Sequence, residues 1–111
     1  MTKEYNKLVR DKIPEIIINN HQKPTTRILN NTEYKQALEN KLQEEVNEVL
    51  LATGSDRIEE LADVLEIIRA LAKLENTDLR NIINIANIKA DKRGAFDKKI
   101  FLEKVISEDN K

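Results

Sequence analysis

A chain of 111 residues with 35% charged and only 4% aromatic side chains, two glycines and two prolines is sized for one domain, residues 1–111, and composed for helices rather than for a β-sandwich or barrel. The lack of cysteine excludes a disulfide framework and any thiolate metal site; with no apolar run near the ~18 residues of a membrane span and no leader pattern, a soluble, cytoplasmic protein with no membrane partner is expected. The net charge of −1 hides an acidic centre: residues 36–66 hold nine acids and two bases, net −7, while residues 1–35 and 67–111 are each +3, which is unlike the basic stripe of a protein that binds nucleic-acid polymers.

Residues 1–35 are the least regular part. Tyr5 to Pro14 mixes bases with apolar side chains, and Pro14 suits the first turn of a short helix over Pro14–Asn20, with Asp11 near its start. His21, the only histidine, falls in a polar loop and reads as a surface residue. Lys23 to Leu29 reads as extended or loop. Asn30-Asn31-Thr32 offers an N-cap, and a long helix is predicted from Thr32 to about Ala52. Ala52-Thr53-Gly54-Ser55 is a turn signal. Asp56 with Glu59 forms a capping-box pattern for a second long helix ending near Glu75. Thr77-Asp78 introduces a third, Asp78 to Lys92, with Leu79, Ile82, Ile83 and Ala86 on one face and Gly94 as its C-cap. Residues 96–106 are rich in β-formers and read as extended, and Ser107–Lys111 is expected to fray. Tyr5, Tyr34, Phe96 and Phe101 are expected to pack in the core. The predicted fold is all-α: an antiparallel helical hairpin plus a third helix, forming a bundle.

The hairpin carries the chemistry. Leu38, Leu42, Glu45, Val49 and Ala52 step by four and three, as do Glu60, Val64, Ile67, Leu71 and Leu74, which is the seam spacing of packed helices. Glu45 and Glu60 thus stand where a hydrophobe belongs. Glu45/Glu48 and Glu60/Asp63 are each spaced i,i+3, so each pair shares a helix face. They lie symmetrically about Gly54, which predicts Glu48 opposite Glu60 and Glu45 opposite Asp63. An ExxE pattern alone most often lies on a solvated face; the mirrored placement and the seam positions point instead to a hard divalent cation held by oxygen ligands. That cation is taken as Mg²⁺, with Mn²⁺ as a substitute, and its ligands as Glu45, Glu48, Glu60 and Asp63. The chemistry it suits is attack of water on a phosphoryl group, with a nearby carboxylate as general base. Lys7, Arg10, Lys12, Lys89, Lys92 and Arg93 read by default as surface charges. No Walker A, GxGxxG, Ser/His/Asp or Cys/His pattern is present. The second long helix is apolar on nearly every side, which predicts that a further copy covers it in a homodimer or homotetramer.

The block Tyr5-Asn6-Lys7-Leu8-Val9-Arg10-Asp11-Lys12-Ile13-Pro14-Glu15-Ile16-Ile17, the EExxE at Glu44–Glu48, the ExxD at Glu60–Asp63 and Lys92-Arg93-Gly94-Ala95-Phe96 together resemble the MazG-like all-α nucleoside triphosphate pyrophosphohydrolases. The similarity is to the small house-cleaning branch, labelled phosphoribosyl-ATP pyrophosphohydrolase-like, and runs over nearly the whole chain in the expected order. It implies Mg²⁺-dependent hydrolysis of the α–β phosphoanhydride of a nucleotide substrate, giving a nucleoside monophosphate and pyrophosphate, in dimers or tetramers of paired hairpins. It implies metal ligation by Glu45, Glu48, Glu60 and Asp63, and handling of the attacking water by Glu44 or Glu48. Asn87, Lys89, Lys92 and Arg93 match the family's phosphate-contacting segment, and Lys7, Arg10 and Lys12 lie in its N-terminal block. The chain departs from the pattern at Ala95, where a second glycine is expected. The alternatives are hydrolysis of phosphoribosyl-ATP in histidine biosynthesis, and a catalytically idle helical module that has kept its carboxylates.

Overall fold

Asn30 ends an extended stretch and starts the longest ordered part of the chain. Its side-chain oxygen accepts from the Glu33 backbone N–H at 2.9 Å, and the Glu33 carboxylate accepts from the Asn30 N–H at 3.3 Å, a reciprocal capping box. Arg27 grips the same carboxylate with two N–H groups at 3.2 and 3.0 Å, and these bonds hold the Glu33 pKa below its usual value. From this start the computed structural model, which describes residues 1–108, runs through α2 (Asn31–Leu51) and α3 (Gly54–Leu74). A short α1 (Ile13–Asn19) precedes them and α4 (Leu79–Arg93) follows. The fold is all-helical, with no strand among the described residues.

The chain divides into two units, Met1–Leu79 and a second from Arg80 onward. In the first, α2 and α3 pack side by side. Only Ala52 and Thr53 link them, so they are antiparallel. Leu38, Ile67 and Ala72 are buried in their seam, and Leu42, Val49, Val64, Leu71 and Leu74 are half-buried along it. The four-three spacing therefore marked the seam correctly.

The turn differs from the sequence expectation. Asp56 and Glu59 do not cap α3; the helix starts three residues earlier, at Gly54, with Thr53 as an N-cap that makes no side-chain bond. Gly54 has φ +57° with open space around its Cα, so backbone conformation and not crowding calls for glycine here. The turn is closed instead by Arg57. Its Nε donates to the Val49 and Ala52 carbonyls at 3.1 and 2.9 Å, tying the end of α2 to the first turn of α3. These are carbonyls that a helix C-terminus leaves without an internal partner, and the cation also complements the helix dipole there.

Two helix ends close in the same way without glycine. After α3, Asn76 (φ +58°) donates to the Lys73 carbonyl and Thr77 to the Ala72 carbonyl. After α1, His21 (φ +62°) donates to the Ile18 carbonyl and Gln22 to the Ile17 carbonyl. Both are Schellman closures with the left-handed residue just past the cap. His21 is exposed, as expected. Gly94 (φ +85°) ends α4, its N–H donating to the Ala90 carbonyl at 2.8 Å.

Three further expectations change. Tyr5, Phe96 and Phe101 are exposed and not in the core; only Tyr34 is half-buried. Residues 96–106 form no strand, only a turn in which Lys99 N–H donates to the Phe96 carbonyl at 3.1 Å. β-propensity describes a fit to a pleated surface, and this segment pairs with no other strand among the described residues. Of Ser107–Lys111, where fraying is expected, Ser107 and Glu108 are exposed and outside any helix, and residues 109–111 lie outside the described residues. α1 covers Ile13–Asn19, one residue earlier than expected at each end, with Lys12 as its N-cap.

Candidate metal centre

The cluster is built from one residue of α2 and two of α3. Glu45, Glu60 and Asp63 each offer a carboxylate oxygen, and these three atoms lie within 4.8 Å of one another. Glu60 and Asp63 are one helical turn apart on α3 and close on Glu45 from either side. The Glu45 side chain is only 12% exposed, because it fills a seam position. The Glu60 pKa is raised, first by loss of solvent and then by a hydrogen bond with Glu45, with further repulsion from Glu45, Asp63 and Glu48. A proton shared between two carboxyl groups is the metal-free answer to like charges at short range.

Glu48 stands apart from the expectation. It is exposed and outside the tight group; Glu60 pairs with Glu45 instead. The reason is the turn. With α2 ending at Leu51 and α3 starting at Gly54, the midpoint falls between Ala52 and Thr53, seven and a half residues from both Glu45 and Glu60. Counting from Gly54 shifted the expected register. Glu48 lies instead beside the cluster, in a shallow cleft of about 270 Å³ that it lines with Leu51, Ala52, Asp56, Glu59 and Glu60.

Two cations flank the acids. Lys41 Nζ is 3.6 Å from Glu45 Oε1 and 3.7 Å from Glu44 Oε1. Arg10 Nη2 is 2.8 Å from Asp63 Oδ1. Lys41 was missed in the sequence, although its place one turn before Glu45 on the same helix face is a readable signal. Lys41 and Glu44 also line a second cleft, of about 240 Å³, with Asn6, Lys7, Leu8, Ala37 and Asn40. Lys7 lies there with its Nζ 5.8 Å from the Tyr5 ring centre. Of the sequence-assigned phosphate groups, Arg10 therefore reaches the cluster, Lys7 lines the cleft next to Glu44, and Lys12 is exposed at the start of α1. Asn87, Lys89, Lys92 and Arg93 lie on α4 in the second unit, all exposed, with Lys92 and Arg93 in the last turn of that helix.

The donor set can be tested against a divalent cation. It is all carboxylate oxygen, which suits a hard ion such as Mg²⁺ and offers nothing to a soft one. Ligand oxygens around one Mg²⁺ lie about 3–4 Å apart, so three carboxylate oxygens within 4.8 Å of one another can share such an ion once their side chains draw in. The residues fit. No helix among the described residues is long and apolar enough to cross a membrane. No family model matches the chain, and neither do any curated proteins or solved structures.

Proposed function

We propose that the chain is a Mg²⁺-dependent nucleoside triphosphate pyrophosphohydrolase of the MazG-like kind, which hydrolyses the α–β anhydride of non-canonical nucleotides to a monophosphate and pyrophosphate. The observation that carries this reading is the convergence of Glu45, Glu60 and Asp63 at seam positions of a helical hairpin. A structural role alone would place hydrophobes there. A divalent cation held by these three residues would screen the phosphate charge and make the attacking water more acidic. Glu48, exposed in the cleft beside Glu60, would take the proton from that water, with Glu44 as the alternative on the side of Lys41. As the water oxygen bonds to phosphorus, the anhydride P–O bond breaks and its electrons leave with pyrophosphate. Lys7, Lys41 and Arg10 edge the acids from the N-terminal side and supply cationic contacts for the polyphosphate, whose separate charges they balance.

A second copy of the chain completes the proposal. Ile58, Leu61 and Leu65 follow one stripe of α3 and are 68%, 50% and 42% exposed, so the hairpin presents an apolar surface away from its own seam. The rival reading, an idle interaction module, draws on the same stripe and on the pairing of the acids with Lys41 and Arg10. Glu60→Gln and Asp63→Asn separate the two. Each should abolish pyrophosphate release while the helical circular dichroism stays unchanged; retained turnover in both would exclude the metal assignment.

A further inference from the structure

Arg10 precedes Asp63 by 53 residues, yet their side chains meet at 2.8 Å. The backbone on either side of Arg10 is held. Leu8 is half-buried against α2 in the cleft with Ala37 and Asn40, and the Arg10 carbonyl accepts from Ile13 N–H at 3.0 Å, at the start of α1. The side chain itself is 59% exposed, so it is free to change rotamer while the backbone stays in place. Its partner oxygen belongs to a member of the three-carboxylate cluster.

A guanidinium and a divalent cation beside the same carboxylate repel each other and both draw on its negative charge, so the arrival of one weakens the hold of the other. We infer that Arg10 is the cluster's built-in counter-ion, holding Asp63 in the metal-free chain and giving it up to the divalent cation, whereupon its fork of N–H groups turns to the substrate's phosphate oxygens. This rests on the metal reading given above and adds to it a residue that exchanges partners. The arrangement has a clear charge logic. Lys41 stays 3.6 Å from Glu45 on the α2 side, attached to the helix that carries it. Arg10 comes from an irregular segment and can leave. A planar guanidinium suits both states, since it binds carboxylate and phosphate alike through paired N–H groups.

Calorimetric titration of the full chain tests this, with Mn²⁺ as the metal probe and inorganic pyrophosphate as the phosphate probe. Wild type is compared with Arg10→Gln and Arg10→Lys. Removal of the competing cation should tighten Mn²⁺ binding by up to about fivefold, the range that an exposed ion pair contributes. The Mn²⁺-loaded Arg10→Gln protein should then bind pyrophosphate several-fold more weakly than loaded wild type. Arg10→Lys should stay close to wild type for Mn²⁺ and fall between the two for pyrophosphate, because lysine keeps the charge and loses the fork. Opposite signs in the two titrations are the signature, since a merely structural role would weaken both. Unchanged or weaker Mn²⁺ binding by Arg10→Gln, with wild type binding normally, overturns the exchange and leaves the metal reading standing. An absence of Mn²⁺ binding in wild type and variants alike overturns both.

Discussion

Arg57 ties the end of α2 to the start of α3, and nothing in the sequence marked it. Consider Arg57→Ala. The substitution removes two hydrogen bonds, from Nε to the Val49 and Ala52 carbonyls, and a cation at the C-terminal end of α2. A charged donor contributes about 1.5–3 kcal/mol when its partner is desolvated, but this side chain is exposed and water replaces much of the loss. The dipole contribution of a cation at an exposed helix end is about 0.3–1 kcal/mol. Together these give a destabilisation on the order of 1 kcal/mol, which for a unit the size of Met1–Leu79 lowers the melting temperature by roughly 4–8 °C. Thermal unfolding followed by far-ultraviolet circular dichroism measures it. Arg57→Lys should recover only the dipole part, because an ammonium on a flexible stem does not offer the guanidinium Nε to both carbonyls. The same loosening should weaken Mn²⁺ binding, since the turn sets how Glu45 meets Glu60 and Asp63. A melting temperature for Arg57→Ala within about 1 °C of wild type would refute the reasoning.

Further predictions concern the cluster, its surface and a helix end. Glu60 has a folded pKa above its ordinary value of 4.5, so in EDTA its contribution is fully present below that value and is lost as pH rises through the folded pKa. Melting temperature measured between about pH 4 and 7 should therefore fall with rising pH more steeply in wild type than in Glu60→Gln. In size-exclusion chromatography with light scattering the wild type should run as the proposed homo-oligomer and Leu61→Glu as a monomer that keeps its helices; an unaltered mass would exclude this stripe as the contact. His21→Gly should raise the melting temperature by a few degrees, the left-handed conformation being strained by about 1 kcal/mol for a residue with a side chain. A lower melting temperature would show that the His21 ring does more than occupy the turn.

The helices and the seam were legible because both rest on periodicity. Leu38 and Ile67 are buried where the four-three steps put them, and Glu45 and Glu60 lie beside each other as seam residues must. What was not legible depended on one or two residues of turn geometry. Asp56 and Glu59 have the capping-box spacing, yet Gly54 starts the helix in a left-handed conformation and leaves the box unused. Counting the hairpin about Gly54 and not about the Ala52–Thr53 link is what set Glu48, in place of Glu45, opposite Glu60. Arg57 and Lys41 escaped notice because a lone base in an acidic run reads as a surface charge until the neighbouring helix is in place. The aromatic side chains misled for a different reason. Burial of Phe96 and Phe101 presumes something to pack against, and composition does not say whether the chain or another copy supplies it.

Pyrophosphate release tests the central claim most directly. The full chain would be incubated with a panel of ribo-, deoxy- and modified nucleoside triphosphates, once with Mg²⁺ and once with EDTA, alongside Asp63→Asn. The account predicts equal yields of monophosphate and pyrophosphate from at least one member of the panel, with Mg²⁺ only, and none from the variant. Release that persists in EDTA or in Asp63→Asn, or no release from any triphosphate by a protein shown to bind Mg²⁺, would contradict it.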